Sequence, residues 1–260
     1  MVPASPFGDL DRPPLRVRPL QRALEPEGWR VELLDRVGST NALVADRARD
    51  GEPAGLVVVA EHQEQGRGRL DRTWVSPPRA GLTFSVLLRP ELPPADWPWL
   101  PLMSGLAVAE ALREQAEVDA VLKWPNDVLV GSRKVCGVLA EVAGSGAVVV
   151  GIGLNVTTRV EELPPQGATS LRLAEAATTD RDTLLRAVLR ALRRTTSDLA
   201  STRGRYRELC STIGVQVRVE LPGRDPVQGT ASDVDDAGRL VVDGVAYGAG
   251  DVVHVRPVPA

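Results

Sequence analysis

Lysine is almost missing from this chain. Of 31 basic side chains, only Lys123 and Lys134 are lysine, and the rest are arginine. GC-rich coding produces such a bias, so a lysine that survives it raises the question whether a compact ammonium is needed there. Aromatic residues make up 3% and the formal net charge is −3. Both argue against a nucleic-acid surface, which needs stacking rings and a basic balance. Two cysteines, Cys136 and Cys210, suggest neither a disulfide framework nor metal-ligand spacing. With His62 and His254 the only histidines, a Ser-His-Asp hydrolase is unattractive. No apolar run approaches the roughly 18 residues of a membrane span, and the N-terminus shows no basic segment followed by an apolar core. The expectation is a reduced cytoplasmic protein, bound neither to DNA nor to membrane.

What is present suits a globular protein. With 260 residues, 43% apolar and 25% charged, the chain makes one large domain, or a large one with a small companion. Residues 1–28 are proline- and arginine-rich, with a short helix expected near Leu20–Leu24. A strand-like run from Trp29 to Val37 leads to Gly38-Ser39-Thr40-Asn41 and a short alanine-rich helix ending before Gly51. Ser39, Thr40 and Asn41 read first as capping residues. Further strands are expected over Gly55–Ala60, Gly81–Leu88, Val121–Val130 with a kink at Pro125, Val135–Val142 and Ala147–Val156. Apolar residues at helical spacing predict a helix from Leu102 to about Glu114 and a single helix over Thr183–Thr202. From Ile213 the texture changes to short alternating strands with an Asp-Gly turn at Asp243-Gly244, read as a small β-barrel leaning on the main domain.

Between the second and third strands lies Gln63-Glu64-Gln65-Gly66-Arg67-Gly68-Arg69-Leu70-Asp71-Arg72-Thr73-Trp74. Arg67, Arg69 and Arg72 repel one another unless an anion joins them, and a guanidinium fork pairs with phosphate or carboxylate. A solvated basic turn is the plain alternative. Lys123 sits inside an apolar run, directly before Trp124-Pro125-Asn126-Asp127. A buried lysine needs a partner, either Asp127 or an anionic ligand. Asn126 and Asp127 either supply oxygens to Mg2+ or complete a turn. Gly151-Ile152-Gly153-Leu154-Asn155 lacks the third glycine and the helix of a dinucleotide fingerprint, and no Walker A sequence occurs.

Taken together and in order, Ser39-Thr40-Asn41, Gln63 with Gly66-Arg67-Gly68-Arg69 and Trp74, Lys123-Trp124-Pro125-Asn126-Asp127, Gly137-Val138-Leu139-Ala140-Glu141 and Gly151-Ile152-Gly153-Leu154-Asn155 resemble the biotin protein ligases. The resemblance runs from Trp29 to Asn155 and more loosely into the C-terminal segment. It implies an α+β fold. A catalytic domain like that of class II aminoacyl-tRNA synthetases, with a mixed sheet, would span 29–210, and an SH3-like barrel 211–260; residues 1–28 would pack on the catalytic domain. It implies biotin and ATP as substrates with Mg2+, a biotinyl-5′-adenylate, and transfer to a lysine of a biotin carboxyl carrier protein. By resemblance Lys123 and Arg69 are catalytic and Asp127 a metal ligand. Biotin and nucleotide contacts fall to Ser39, Thr40, Asn41, Gln63, Gly66, Arg67, Gly68, Arg69, Trp74, Lys123, Asn126, Gly137, Gly151, Gly153 and Asn155.

Related loops often read GRGRRGR, whereas Leu70-Asp71 stands here in place of the second arginine-glycine pair. An Arg–Asp contact that partly pre-orders the loop is expected. Residues 1–28 are too short for the winged helix-turn-helix of bifunctional members, so the monofunctional type is expected, as monomer or homodimer. The rival readings are a lipoate or octanoate ligase, which would want a long apolar slot, and a non-catalytic biotin sensor.

Overall fold

The computed structural model describes residues 11–254, apart from 70, 71, 145, 166, 222, 224, 249 and 250. The chain opens with α1 (Val17–Leu24), β1 (Arg30–Leu34), α2 (Thr40–Arg49), β2 (Leu56–Ala60) and β3 (Gly81–Leu88). The buried helix α3 (Trp99–Gln115) follows, then β4 (Ala120–Lys123), β5 (Asp127–Val130), β6 (Arg133–Gly144) and β7 (Ala147–Asn155). After α4 (Arg181–Ser197) and α5 (Leu199–Leu209) come β8 (Gln216–Glu220), β9 (Val227–Val234), β10 (Leu240–Val242), β11 (Val245–Tyr247) and β12 (Asp251–His254).

Among the described residues, seven strands form one mixed sheet in the order β1-β2-β3-β7-β6-β5-β4. Only its β1–β2 pair is parallel. Five strands form a second, antiparallel sheet, β11-β10-β9-β8-β12. Helix α3 is apolar nearly all round because it is enclosed between sheet and helices. Leu102, Leu106 and Leu112 join the sheet residues Phe84, Val138 and Ile152 in one core with Leu185 and Leu189 of α4. Helix α2 lies on the opposite face, where Val44 and Ala48 pack on Val58, Leu87 and Val149. The site uses that second face.

The single helix expected over Thr183–Thr202 is instead two. Asp198 leaves the helical region (φ −139°, ψ 90°) and its carboxylate accepts the Ser201 N–H at 3.1 Å, so it ends α4 and caps α5. Apolar spacing continues across the break, which is why periodicity alone does not show it. The C-terminal sheet does lean on the larger one. Trp124 Nε1 donates to Gly238 O at 3.0 Å, and Trp99 Nε1 donates to Asp236 O at 2.8 Å.

The N-terminal segment is held by a buried charge pair. Arg181, the first residue of α4, donates to Glu61 Oε2 at 2.6 Å, and both side chains are about 5% exposed or less. Arg181 also donates to Gly81 O and Pro13 O, while the Leu15 N–H donates to Glu61 Oε1. Four pieces of chain thus meet at Glu61, where the arginine-rich loop begins. Removing one partner of such a pair strands the other charge. Arg181→Ala is expected to cost about 3–5 kcal/mol in urea unfolding, and a loss below about 1 kcal/mol would contradict this role.

Candidate active site

Side chains alternate across a sheet, so pairing register decides what faces α2. Gly137 pairs with Gly153 and Leu139 with Gly151 across β6 and β7. Ser85 pairs with Gly151 and Thr83 with Gly153 across β3 and β7. Thr83, Ser85, Gly137, Leu139, Glu141, Gly151, Gly153 and Asn155 therefore share the face that carries α2. At its middle three strands lie side by side with glycine in place of a side chain on two of them. The space is needed. A Cβ at Gly151 would stand 2.2 Å from Asn41 Oδ1, and one at Gly153 2.4 Å from Trp74 Cε2. The result is a cavity floored by backbone.

One end of the cavity is neutral and hydrogen-bonding. Ser39 caps α2, and Thr40 and Asn41 begin it, all of them buried. The chain after β2 runs beside Val37 and Gly38 through backbone bonds from Glu64 and Gln65, which brings Gln63 against the helix start. Gln63 Oε1 accepts from the Thr40 N–H at 2.9 Å. Ser85 Oγ lies 2.7 Å from Thr40 Oγ1 and 2.6 Å from Asn41 Oδ1. Asn41 Nδ2 donates to Glu141 Oε2 at 2.7 Å.

The glycine–arginine loop closes over this trench as a small hairpin. Arg67 pairs antiparallel with Thr73, the Gly68 N–H donates to Arg72 O, and the Trp74 N–H donates to Gly66 O. Arg67 Nη2 donates to Glu141 Oε2 at 3.2 Å, which ties the loop to β6. Trp74 lies over Gly137 and Gly153, and its buried Nε1 has no hydrogen-bond partner. Leu70 and Asp71, with the expected Arg–Asp contact, lie outside the described residues.

The other end is cationic, and Lys134, a residue the sequence reading did not name for the site, lines it. Its Nζ is 2.6 Å from Asp127 Oδ1 and 5.6 Å from the centre of the Trp74 ring. Its backbone is pinned on both sides, with its N–H donating to Gly167 O and its carbonyl accepting from Thr169. Asn155 braces the same segment by donating from Nδ2 to Thr169 O. Asn126 lines the cavity with Asp127, donating to Val138 O at 2.8 Å, and Arg69 Nη1 approaches Asn126 Oδ1 at 3.4 Å.

Lys123, at the end of β4, pairs with Asp127, which pairs with Gly137, so it belongs to the cross-strand row that runs on through Gly153 to Thr83 on the cavity face. Its ammonium lowers the pKa of His254, second to burial. Asp127, expected to hold a metal ion, forms an ion pair with Lys134. Gly66 is also absent from the lining; it supports the loop from below. Ser85, Glu141 and Lys134 were missed as site residues. The survival of a lysine was a usable sign, and it applied to Lys134 as much as to Lys123. The cysteines are core residues, as expected: burial pushes the Cys136 thiol up to about 12, against the pull of Lys134.

The profile of the Biotin/lipoate A/B protein ligase family matches residues 33–156, and that of the Biotin protein ligase C terminal domain matches 212–255. The biotin–[acetyl-CoA-carboxylase] ligase of Mycobacterium tuberculosis is 43% identical over 94% of this chain and 97% of its own length. The chain belongs to the biotin protein ligase family. Among solved structures, the biotin protein ligase of Aquifex aeolicus in complex with biotin and ATP is similar at TM-score 0.72 and 28% identity. The match covers 86% of this chain and 99% of that one. The biotin protein ligase of Leishmania major in complex with biotinyl-5-AMP is similar at TM-score 0.63 and 27% identity, over 87% and 98% of the two chains.

The shape of the loop in this family member depends on Gly66, where a Cβ would stand 2.2 Å from Trp74 O. Gly66→Ala is expected to open the hairpin and speed tryptic cleavage after Arg67, Arg69 and Arg72 by about tenfold, since local opening governs such cuts. Unchanged cleavage would show that the hairpin does not need this close approach.

Proposed function

We propose that the protein activates biotin with ATP as biotinyl-5′-adenylate and transfers it to one lysine of a biotin carboxyl carrier protein. The observation that carries this reading is the two-ended cavity. A neutral wall of Ser39, Thr40 and Gln63 suits a ureido ring, a glycine floor leaves room for a flat ligand, and Lys134 with Arg69 suits a carboxylate beside a phosphate. The relatives named above, with biotin and ATP or with the adenylate bound, support it.

In the first step a biotin carboxylate oxygen bonds to the α-phosphorus of ATP, and the bond to pyrophosphate breaks. Two anions must meet, and cations placed where charge gathers lower that barrier. Lys134 is held for this by Asp127 and by its pinned backbone, and the Trp74 face lies beside it. The loop shields the mixed anhydride from water. In the second step the carrier amine bonds to the carbonyl carbon, the C–O bond breaks, and AMP leaves with that oxygen as the amine loses a proton.

Mg2+ fits as an ion delivered on the ATP phosphates. Asp127 is the one carboxylate among the described residues lining the cavity, and no group of three or more potential metal ligands occurs among the described residues. The larger sheet with its helices suits the class II synthetase-like description, and the C-terminal sheet the SH3-like one, with domains at 29–210 and 211–260. A cytoplasmic protein, as monomer or homodimer, completes the proposal.

The test is pyrophosphate release with biotin, lipoate or octanoate, followed by transfer to a carrier domain. Lys123→Ala and Lys134→Ala are each expected to lose about 100- to 1,000-fold of the biotin-dependent rate. Loss in Lys123→Ala alone would overturn the part given to Lys134. Release with lipoate or octanoate but not biotin would move the protein to that chemistry, and biotin binding without release would make it a sensor.

A further inference from the structure

The neutral end of the cavity has more close contacts than protons. Ser85 Oγ lies 2.6 Å from Asn41 Oδ1 and 2.7 Å from Thr40 Oγ1, and Thr40 Oγ1 lies 3.1 Å from Gln63 Oε1. Each hydroxyl carries a single proton, so the two hydroxyls cannot serve all three contacts. Taken alone, these side chains allow the protons to run in either direction.

Glu141 decides the direction. Its Oε2 receives Asn41 Nδ2 at 2.7 Å and Arg67 Nη2 at 3.2 Å, so it faces two donors and acts as acceptor. Flipping the Asn41 amide would set oxygen against oxygen at 2.7 Å. Held as it is, Asn41 turns Oδ1 toward Ser85, and at 2.6 Å that contact needs a proton, which Ser85 must give. The Ser85 proton being spent, the 2.7 Å contact to Thr40 needs the Thr40 proton. Gln63 Oε1, at the longest of the three distances, receives the Thr40 N–H instead. Thr40, which lines the cavity, is left with only lone pairs on Oγ1 to offer a ligand.

We infer that Glu141 and Ser85, acting through Asn41, fix Thr40 as a hydrogen-bond acceptor and so select a ligand ring that presents N–H there over one that presents oxygen. Ser85 is fully buried on β3 and acts on the ligand only through its neighbours, as a positioning residue. Glu141 does the same from β6 while tying down the loop through Arg67. The inference deepens the proposed biotin reading and rests on it. It names the feature by which the wall tells a ureido ring from its oxygen isostere. Such discrimination is strong when a site's own polar group would otherwise face a partner of the wrong sense.

The test compares calorimetric affinities for biotin and for its two isomeric cyclic carbamates, in each of which one ring N–H is replaced by oxygen. The parent is expected to bind biotin at least about tenfold more tightly than the carbamate whose oxygen faces Thr40. In Ser85→Ala the Thr40 proton is released to turn toward the ligand, and the preference falls to about threefold or less. Glu141→Ala frees the Asn41 amide and lowers the same ratio; its side chain is one-third exposed, so this variant serves if Ser85→Ala fails to fold. A purely structural role would weaken biotin and carbamate alike and leave the ratio unchanged, which would overturn the inference. So would a parent that binds biotin and both carbamates equally. A parent that binds no biotin would instead sink the proposed function.

Discussion

Where β6, β7 and β3 run side by side, the site depends on a steric condition: glycines at 137, 151 and 153 open the middle of the face toward α2. Gly137 stands opposite Gly153, and Gly151 stands between Leu139 and Ser85. The room this leaves is filled at one end by Asn41 and at the other by the Trp74 ring, each close enough that a methyl group on the floor would displace it. The start of α2 can therefore bring its polar residues down onto the sheet, and the arginine loop can fold back across it. Sheet register places the floor, and the floor sets how near the walls approach.

The two walls differ in kind. At the α2 end the partners are amides and hydroxyls, enclosed and mutually bonded, which favours a neutral ring whose polar edge completes the set. At the β5–β6 end Lys134, Asp127, Asn126 and Arg69 gather charge around the mouth. Separating neutral recognition from charged chemistry suits a ligand with a compact polar head and an acid at its far end. Glu141 touches both parts, since the same oxygen holds Asn41 in the neutral wall and Arg67 in the loop.

Much of this was legible in the sequence because its signals are local. A serine cap before a short helix, glycines alternating with arginines, and glycines two apart in a strand each state their own geometry. The place of the second lysine was not local. Trp124 turns toward the C-terminal sheet, where it bonds Gly238 O, while Lys123 pairs with Asp127 in the row that runs to the cavity floor. Lys134 reaches the same spot from the next strand, past a register shift between Val128 and Leu129 that sequence spacing does not reveal. Ser85 was hidden for a related reason: a serine in an apolar run reads as filler until pairing places it against Gly151. The break at Asp198 lay within a continuous apolar pattern and needed the cap itself to show it.

The central claim is that the acid is activated at phosphorus within this cavity and leaves its oxygen behind when the amine attacks. Biotin labelled with 18O in its carboxylate, turned over with ATP and a carrier domain, tests this most directly. The account predicts one 18O in the AMP released, with pyrophosphate unlabelled. Label in inorganic phosphate, or AMP without label, would contradict it.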